Sequence, residues 1–214
     1  MSEPTLFPEG GFLRLKIKLA YDGTNFSGWA KQPDRRTLQE EFEKAFATIV
    51  RQHCESIVAG RTDAGVHATA QIIHIDVPES TDLSDLVYRL NQLLDTDLRV
   101  LELEVAPEGF HARFSALRRH YKYKIVDSNK AINPLDRYDR ASWYRPLDLA
   151  RLNEASALLL GEHDFAAFCK FREGATTIRT LETFHWERKA DGLLVAQVVA
   201  DAFCYSMVRN LVGS

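Results

Sequence analysis

In the stretch Ala59-Gly60-Arg61-Thr62-Asp63-Ala64-Gly65-Val66-His67-Ala68, one carboxylate stands between two glycines, with an arginine two residues before it and a histidine four after. Aspartate and glycine are turn-forming residues, so the plain reading is a tight connection between two strands in which Asp63 bonds its own backbone. The chemical reading is a single catalytic carboxylate. Glycoside hydrolysis ordinarily uses two carboxylates flanking the bond, and this motif offers one. One is enough for an isomerisation, in which the leaving group stays in the site and is rejoined without activating water. Burial pushes a carboxyl toward protonation, so an ionised Asp63 needs a nearby cation. Arg61 lies on the same face if the segment is extended, and Arg209 in "MVRN" is a more distant candidate. For each arginine the plainer role is a surface ion pair, which contributes little.

Other arrangements fail on residue type. "GTNFSGW" has the glycine spacing of a Walker A loop, but Trp29 and Ala30 stand where Lys and Ser or Thr are required. His67, His74, His111 and Cys54 lack the spacing of metal ligands. No GxSxG elbow for acyl transfer is present. A hydrolase of nucleosides that uses Asp63 together with Asp76 stays open at this point. From His111 to Lys124, "HARFSALRRHYKYK" carries Arg113, Arg118, Arg119, Lys122 and Lys124 without an acid, interleaved with Phe114, Tyr121 and Tyr123. Cations among aromatics suit phosphate and base; a strand edge guarded by charge is the alternative. Lys170 and Arg172, in the loop "CKFREGATT", are further candidates for phosphate contact, against ordinary exposed loop charge.

The elements that must position these residues are legible from periodicity. "FLRLKIKLAY" alternates Leu13, Leu15, Ile17 and Leu19 with Arg14, Lys16 and Lys18, which predicts a half-buried strand. "TLQEEFEKAFATIV" predicts a helix, with Thr37 and Glu40 in capping-box spacing and Leu38, Phe42, Ala45, Phe46 and Ile49 on one stripe. Short strands over 55–59 and 69–77 flank the Asp63 motif. "DLSDLVYRLNQLL" predicts a second helix, and "LRVLELEV" a strand with Leu101, Leu103 and Val105 inward. The order is β-α-β-β-α-β, a ferredoxin-like split arrangement. From about residue 111 a similar order begins again: a strand over 119–127, a helix over 148–160 stopped by Gly161, strands over 180–189 and 193–200 joined at Asp191-Gly192, and a helix from Tyr205. The expected domains are 1–108, carrying Asp63, and 109–214. The second is one strand short of the first, so either the fold is trimmed or the chain is a fragment. The loop "SNKAINPLDRYDRA" is the other long irregular piece.

Composition sets the outer limits. With 214 residues, 45% hydrophobic and 27% charged, the chain can bury a real core as one large or two small domains. Its formal charge of −3 gives no global sign of nucleic-acid binding. The start, "MSEPTLFPEGG", has no basic region followed by an apolar one, and no later run reaches the roughly 18 apolar residues of a membrane span; a cytoplasmic protein with no membrane partner is expected. Cys54, Cys169 and Cys204 are odd in number and far apart, and free core thiols are expected.

"GRTDAGVHATAQ" resembles the signature of the pseudouridine synthases, closely that of the tRNA pseudouridine synthase A (TruA) family. "YDGTNFSGW" at 21–29, "FHARFSA" at 110–116, "HYKYKI" at 120–125, "GEHDFAAF" at 161–168 and "MVRNLVG" at 207–213 agree in order, while Ala30 departs from the glutamine usual after "GW". The resemblance covers nearly the whole chain. It implies an α+β fold of two ferredoxin-like halves sharing one mixed, mainly antiparallel sheet with helices on one face and a cleft between the halves. It implies a homodimer that needs no cofactor, and the conversion of uridine to pseudouridine in the anticodon arm of tRNA, typically at positions 38 to 40. Asp63 then matches the essential carboxylate, as nucleophile at C1′ or as base at the 2′ proton. Tyr121 matches the tyrosine stacked on the flipped base, Arg209 the arginine paired with the aspartate, and Arg61 the arginine near the flipped nucleotide. Thr62, His67, Arg113, Arg118, Arg119, Lys122, Lys170 and Arg172 are the further expected RNA contacts. In the family the chain continues past "VRNLVG" to a final strand. A relative that binds RNA without chemistry is the alternative function.

Overall fold

The computed structural model describes residues 11–127 and 131–214; the amino-terminal stretch and the start of the "SNKAINPLDRYDRA" loop read above lie outside the described residues. The chain divides into two compact units, the first ending at Ala116 and the second beginning at Leu117.

The first unit runs β1 (Phe12–Tyr21), α1 (Leu38–Val50), β2 (Ser56–Val58), β3 (Ala68–Pro78), α2 (Leu86–Leu93) and β4 (Leu98–Val105). Its sheet has the order β2-β3-β1-β4 with every neighbour antiparallel, which is the ferredoxin-like arrangement expected. The alternation of β1 buries Leu15, Ile17 and Leu19 completely. It turns Arg14, Lys16 and Lys18 to the other face, where they meet Asp76, Glu104 and Glu102 at 2.7, 2.7 and 2.8 Å. Cross-strand pairs of this kind help fix register more than they add stability.

Two details of the first unit differ from expectation. Thr37 precedes α1 but makes no side-chain capping bond. The carbonyls of Gly28 and Trp29 instead accept from the first helical N–H groups, of Leu38 and Gln39, at 3.2 and 3.0 Å. Tertiary contacts thus replace the local cap. In β4, Leu98 and Val100 are buried while Leu101 and Val105 are exposed. Leu103 packs on the core as expected; the β1–β4 register shifts between Lys18 and Leu19, and this one-residue irregularity leaves Leu101 unpaired.

The 110–116 segment belongs to this unit. Arg14 donates to the carbonyl of Phe110 at 2.8 Å, and the Ala112 N–H donates to Nδ1 of His74 at 3.0 Å. These bonds bring "FHARFSA" onto the outer face of β1 and β3.

The second unit holds β5 (Arg119–Val126), β6 (Ala141–Ser142), α3 (Leu149–Ala157), β7 (Gly161–Asp164), β8 (Ile178–Arg188), β9 (Leu194–Ala200) and α4 (Met207–Gly213). Its sheet has the order β6-β5-β9-β8-β7, with β5–β6 the parallel pair. The β5-α3-β8-β9-α4 sequence repeats β1-α1-β2-β3-α2, as the spacing predicts. The short β6 and β7 were not expected; both are edge strands too brief to show a periodic pattern. Gly161 does not stop the helix, which ends at Ala157 with Leu158 as its cap; at φ +101 it opens β7. The strands of each unit form one hydrogen-bonded sheet. The α+β class and the two-half organisation stand.

The cysteine expectation is corrected. Cys54 is free and buried, but Cys169 and Cys204 are joined as a disulfide, with Cα atoms 5.6 Å apart. The Lys170 N–H donates to the Tyr205 carbonyl at 2.9 Å, which brings the two distant cysteine segments side by side.

Candidate active site

The Asp63 motif is not extended. Asp63 opens a turn, its carbonyl accepting from the Val66 N–H at 3.2 Å, with Gly65 at φ +77. The turn reading of the motif is correct for the backbone. The side chain does something else: among the described residues of the first unit, no hydrogen bond or ion pair holds the Asp63 carboxylate. Nor does Arg61 share a strand face with it. Arg61 lies exposed outside any strand and makes no ion pair with Asp63, because the chain is already bending at Gly60.

What fixes this turn is the "YDGTNFSGW" segment. The Trp29 N–H donates to the Thr62 carbonyl at 3.0 Å, and the Gly65 N–H to the Phe26 carbonyl at 3.3 Å. The turn is thus clamped on both sides of Asp63. The clamp needs glycine at two positions. A Cβ on Gly23 would stand 2.0 Å from the Val66 carbonyl oxygen, and one on Gly28, at φ +100, 2.8 Å from that of Thr62. Phe26 and Trp29, both nearly fully buried, anchor the segment in the first core.

Side chains continue the attachment. The Gln71 amide nitrogen donates to the Gly60 carbonyl at 2.8 Å and to the Tyr21 hydroxyl at 3.1 Å. Tyr21 in turn lies 2.9 Å from Oγ1 of Thr62. His67 closes the far end, with Nδ1 3.0 Å from the Asp22 carboxylate and 3.2 Å from the Gly23 nitrogen. Partial burial tends to raise the Asp22 carboxyl, but hydrogen bonds from the Thr24 hydroxyl and N–H, with His67 nearby, hold it below the usual carboxylate range. His67 therefore sits in the wedge that holds the turn. Asp76, the candidate second carboxylate of a hydrolase, is engaged by Arg14 through two bonds of 2.7 Å.

The basic aromatic stretch is divided by strand alternation. Tyr121 and Tyr123 pack against the second core, Tyr121 edge-on to Phe203 at 5.1 Å, while His120 and Lys122 are exposed on the opposite face. Arg118 is paired with Glu182, and Arg119 donates to the Asp201 carbonyl. Arg113 lies over the Phe114 ring at 5.5 Å. Lys170 sits over Tyr205 at 5.2 Å, and Arg172 is exposed in a turn closed by Ala175 N–H. Arg209 is exposed on α4, whose buried residues are Met207 and Leu211.

The sequence reading missed Tyr21, Gln71, Gly23 and Gly28. The signal is the glycine spacing of "GTNFSGW", which fails as a phosphate loop and stands within the "YDGTNFSGW" block of the resemblance. It serves as a seat for the Asp63 turn.

A family model described as tRNA pseudouridine synthase matches residues 18–115 and 155–214, which take in the turn, its seat and α4. The chain is 51% identical over 205 residues to tRNA pseudouridine synthase A of Frankia casuarinae, covering 95% of this chain and 75% of that protein. It is 52% identical over 213 residues to the protein of the same name in Streptomyces griseus, and 44% identical over 216 residues to that of Mycobacterium leprae; each is covered over 75% of its length. With a match of this extent spanning both units and every residue that holds the Asp63 turn, the chain belongs to the tRNA pseudouridine synthase family.

Proposed function

We propose that this protein isomerises uridine to pseudouridine in the anticodon arm of tRNA, at positions of the 38 to 40 type, with Asp63 as the catalytic carboxylate. The observation that carries the reading is the Asp63 turn: a backbone clamped from both sides that leaves the carboxylate itself unengaged within its unit. A carboxylate held in place by its backbone but not engaged by its own unit is preorganised for a ligand. In the reaction the N1–C1′ bond breaks, the uracil turns, C5 bonds to C1′, the C5 hydrogen leaves as a proton and N1 gains one. Asp63 attacks C1′ or takes the 2′ proton. Tyr121 and Arg209 carry the roles that the resemblance gives them, stacking on the base and keeping the carboxylate ionised. The engagement of Asp76 by Arg14 argues against a two-carboxylate hydrolase. The reading extends to a cytoplasmic homodimer, whose size sedimentation would check.

The test is release of tritium from tRNA labelled at C5 of uridine. Wild-type protein should release it, and Asp63→Asn should reduce the rate by at least about a thousandfold, as expected when a central catalytic group is removed. Full turnover by the variant would refute the role of Asp63. Salt-dependent tRNA binding without any product would replace the enzyme by an RNA-binding relative, and free uracil would indicate hydrolysis.

A further inference from the structure

The bonds around Gln71 have a direction. The Gly60 carbonyl can only accept, so the Gln71 amide must turn its nitrogen toward it. That nitrogen's second hydrogen goes to the Tyr21 oxygen, 3.1 Å away. Tyr21 is only 5% exposed, and burial raises its pKa, with the bonds to Thr62 and Gln71 offsetting part of the effect, so the phenol keeps its proton. The proton needs an acceptor, because an unmet buried donor costs about 1–3 kcal/mol. Thr62 Oγ1, at 2.9 Å, supplies it. A hydroxyl that accepts from one side directs its own hydrogen elsewhere. Thr62 is partly exposed, immediately precedes Asp63, and has its carbonyl already held by the Trp29 N–H.

Resting on the activity proposed above, we propose that Gln71 and Tyr21 are positioning residues that polarise the Thr62 hydroxyl as a hydrogen-bond donor to an acceptor oxygen of the target uridine. The relay runs from the Gln71 N–H through the Tyr21 O–H to Thr62, all within the first unit. It also explains why a polar side chain is buried at position 71 of β3, opposite Leu19. Apolar packing there would leave both Gly60 and Tyr21 without their donor.

The test is a double-mutant cycle on wild-type background, read as kcat and KM for tritium release from tRNA. Tyr21→Phe and Thr62→Val should each lower kcat about tenfold, the effect of one well-oriented hydrogen bond, with KM within about twofold of wild type. The double variant should fall about tenfold and not about a hundredfold, because both changes remove the same donor. Gln71→Leu should behave like Tyr21→Phe, and Thr62→Ser should restore most of the rate. Additive losses, an unchanged kcat in Thr62→Val, or losses that follow only the folded fraction in thermal unfolding would overturn the relay while wild-type turnover leaves the activity standing. Absence of turnover by the wild type would overturn the activity, and the relay with it.

Discussion

Residues around Asp63 matter here chiefly for how close they let two backbones come. Gly23 and Gly65 sit on the two sides of one contact, yet they answer to different constraints. Gly23 has the Val66 backbone in the place of a Cβ, at 2.0 Å, whereas Gly65 has φ +77 and nothing within 4 Å. Backbone cannot rotate aside as a side chain can, so Gly23→Ala must separate the clamp from the turn. It should destabilise the protein by about 3 kcal/mol, the range of strained or overpacked sites, and abolish most tritium release. Gly65→Ala pays only the left-handed conformation, about 1–2 kcal/mol, and Gly65→Asn less. Urea unfolding of the three variants checks the ranking, and a Gly23→Ala protein as stable as Gly65→Asn would refute the close-approach argument. Gln71 shows the same lesson for a polar residue: alternation puts it on the buried face with Ile73 and Ile75, but nothing in "ATAQIIHID" shows what satisfies its amide there, because its partners, Gly60 and Tyr21, come from other segments.

Elements were legible where a periodic pattern decides them. β1, α1 and the β8–β9 hairpin follow directly from alternation, a helical stripe and Asp191-Gly192. In β4, Leu103 packs on the core as expected but Leu101 was misread, because a register irregularity belongs to a pair of strands and leaves no mark in one. The same limit applied to the proposed site: Asp63, Tyr121 and Arg209 stand in distinctive strings, but the seat of the turn is built from segments far apart in sequence. The pairing of Cys169 with Cys204 was hidden for that reason too, being set by the meeting of the segment after β7 with the one before α4. A specific outcome follows: alkylation of the unfolded, unreduced protein should label Cys54 alone, and labelling of all three cysteines would contradict the bond. Replacing Cys169 and Cys204 by Ser should lower stability by about 3–4 kcal/mol, the loop-closure effect for a bridge of this sequence separation. For the loop just past Cys169, Lys170→Ala with Arg172→Ala should reduce the salt slope of tRNA binding by about two if both touch phosphate, whereas an unchanged slope would leave them as solvated charge.

At the scale of the whole chain, the two units carry different acid sensitivities. His74, in the first, is 1% exposed, with Nδ1 accepting from Ala112 and Nε2 without a hydrogen-bond partner among the described residues. Burial, then the positive charge of Arg14 and His111, pulls its pKa down to about 4 against the partial opposition of Asp76. A histidine held neutral in the fold stabilises fully above its ordinary pKa of about 6.5, and that contribution is lost as pH falls from there toward 4. Asp127, in the second unit, is held by Arg188 at 2.7 Å through both carboxylate oxygens and by the Leu147 N–H at 2.8 Å. The Arg188 bonds, followed by opposing burial and the Leu147 bond, leave it at about 2. Its contribution is present above the ordinary aspartate pKa of about 3.9 and is lost as pH falls toward 2. The first unit should therefore weaken before the second on acidification. Amide exchange followed from pH 7 to 3 should show protection falling first in β1 and β3, with β5 and β8 still protected near pH 4.5. Asp127→Asn should cost about 2–3 kcal/mol at neutral pH, since it leaves Arg188 without its charge partner, and should leave the first transition unmoved. Loss of protection in both units together, or in the second first, would show that these two groups do not set the order.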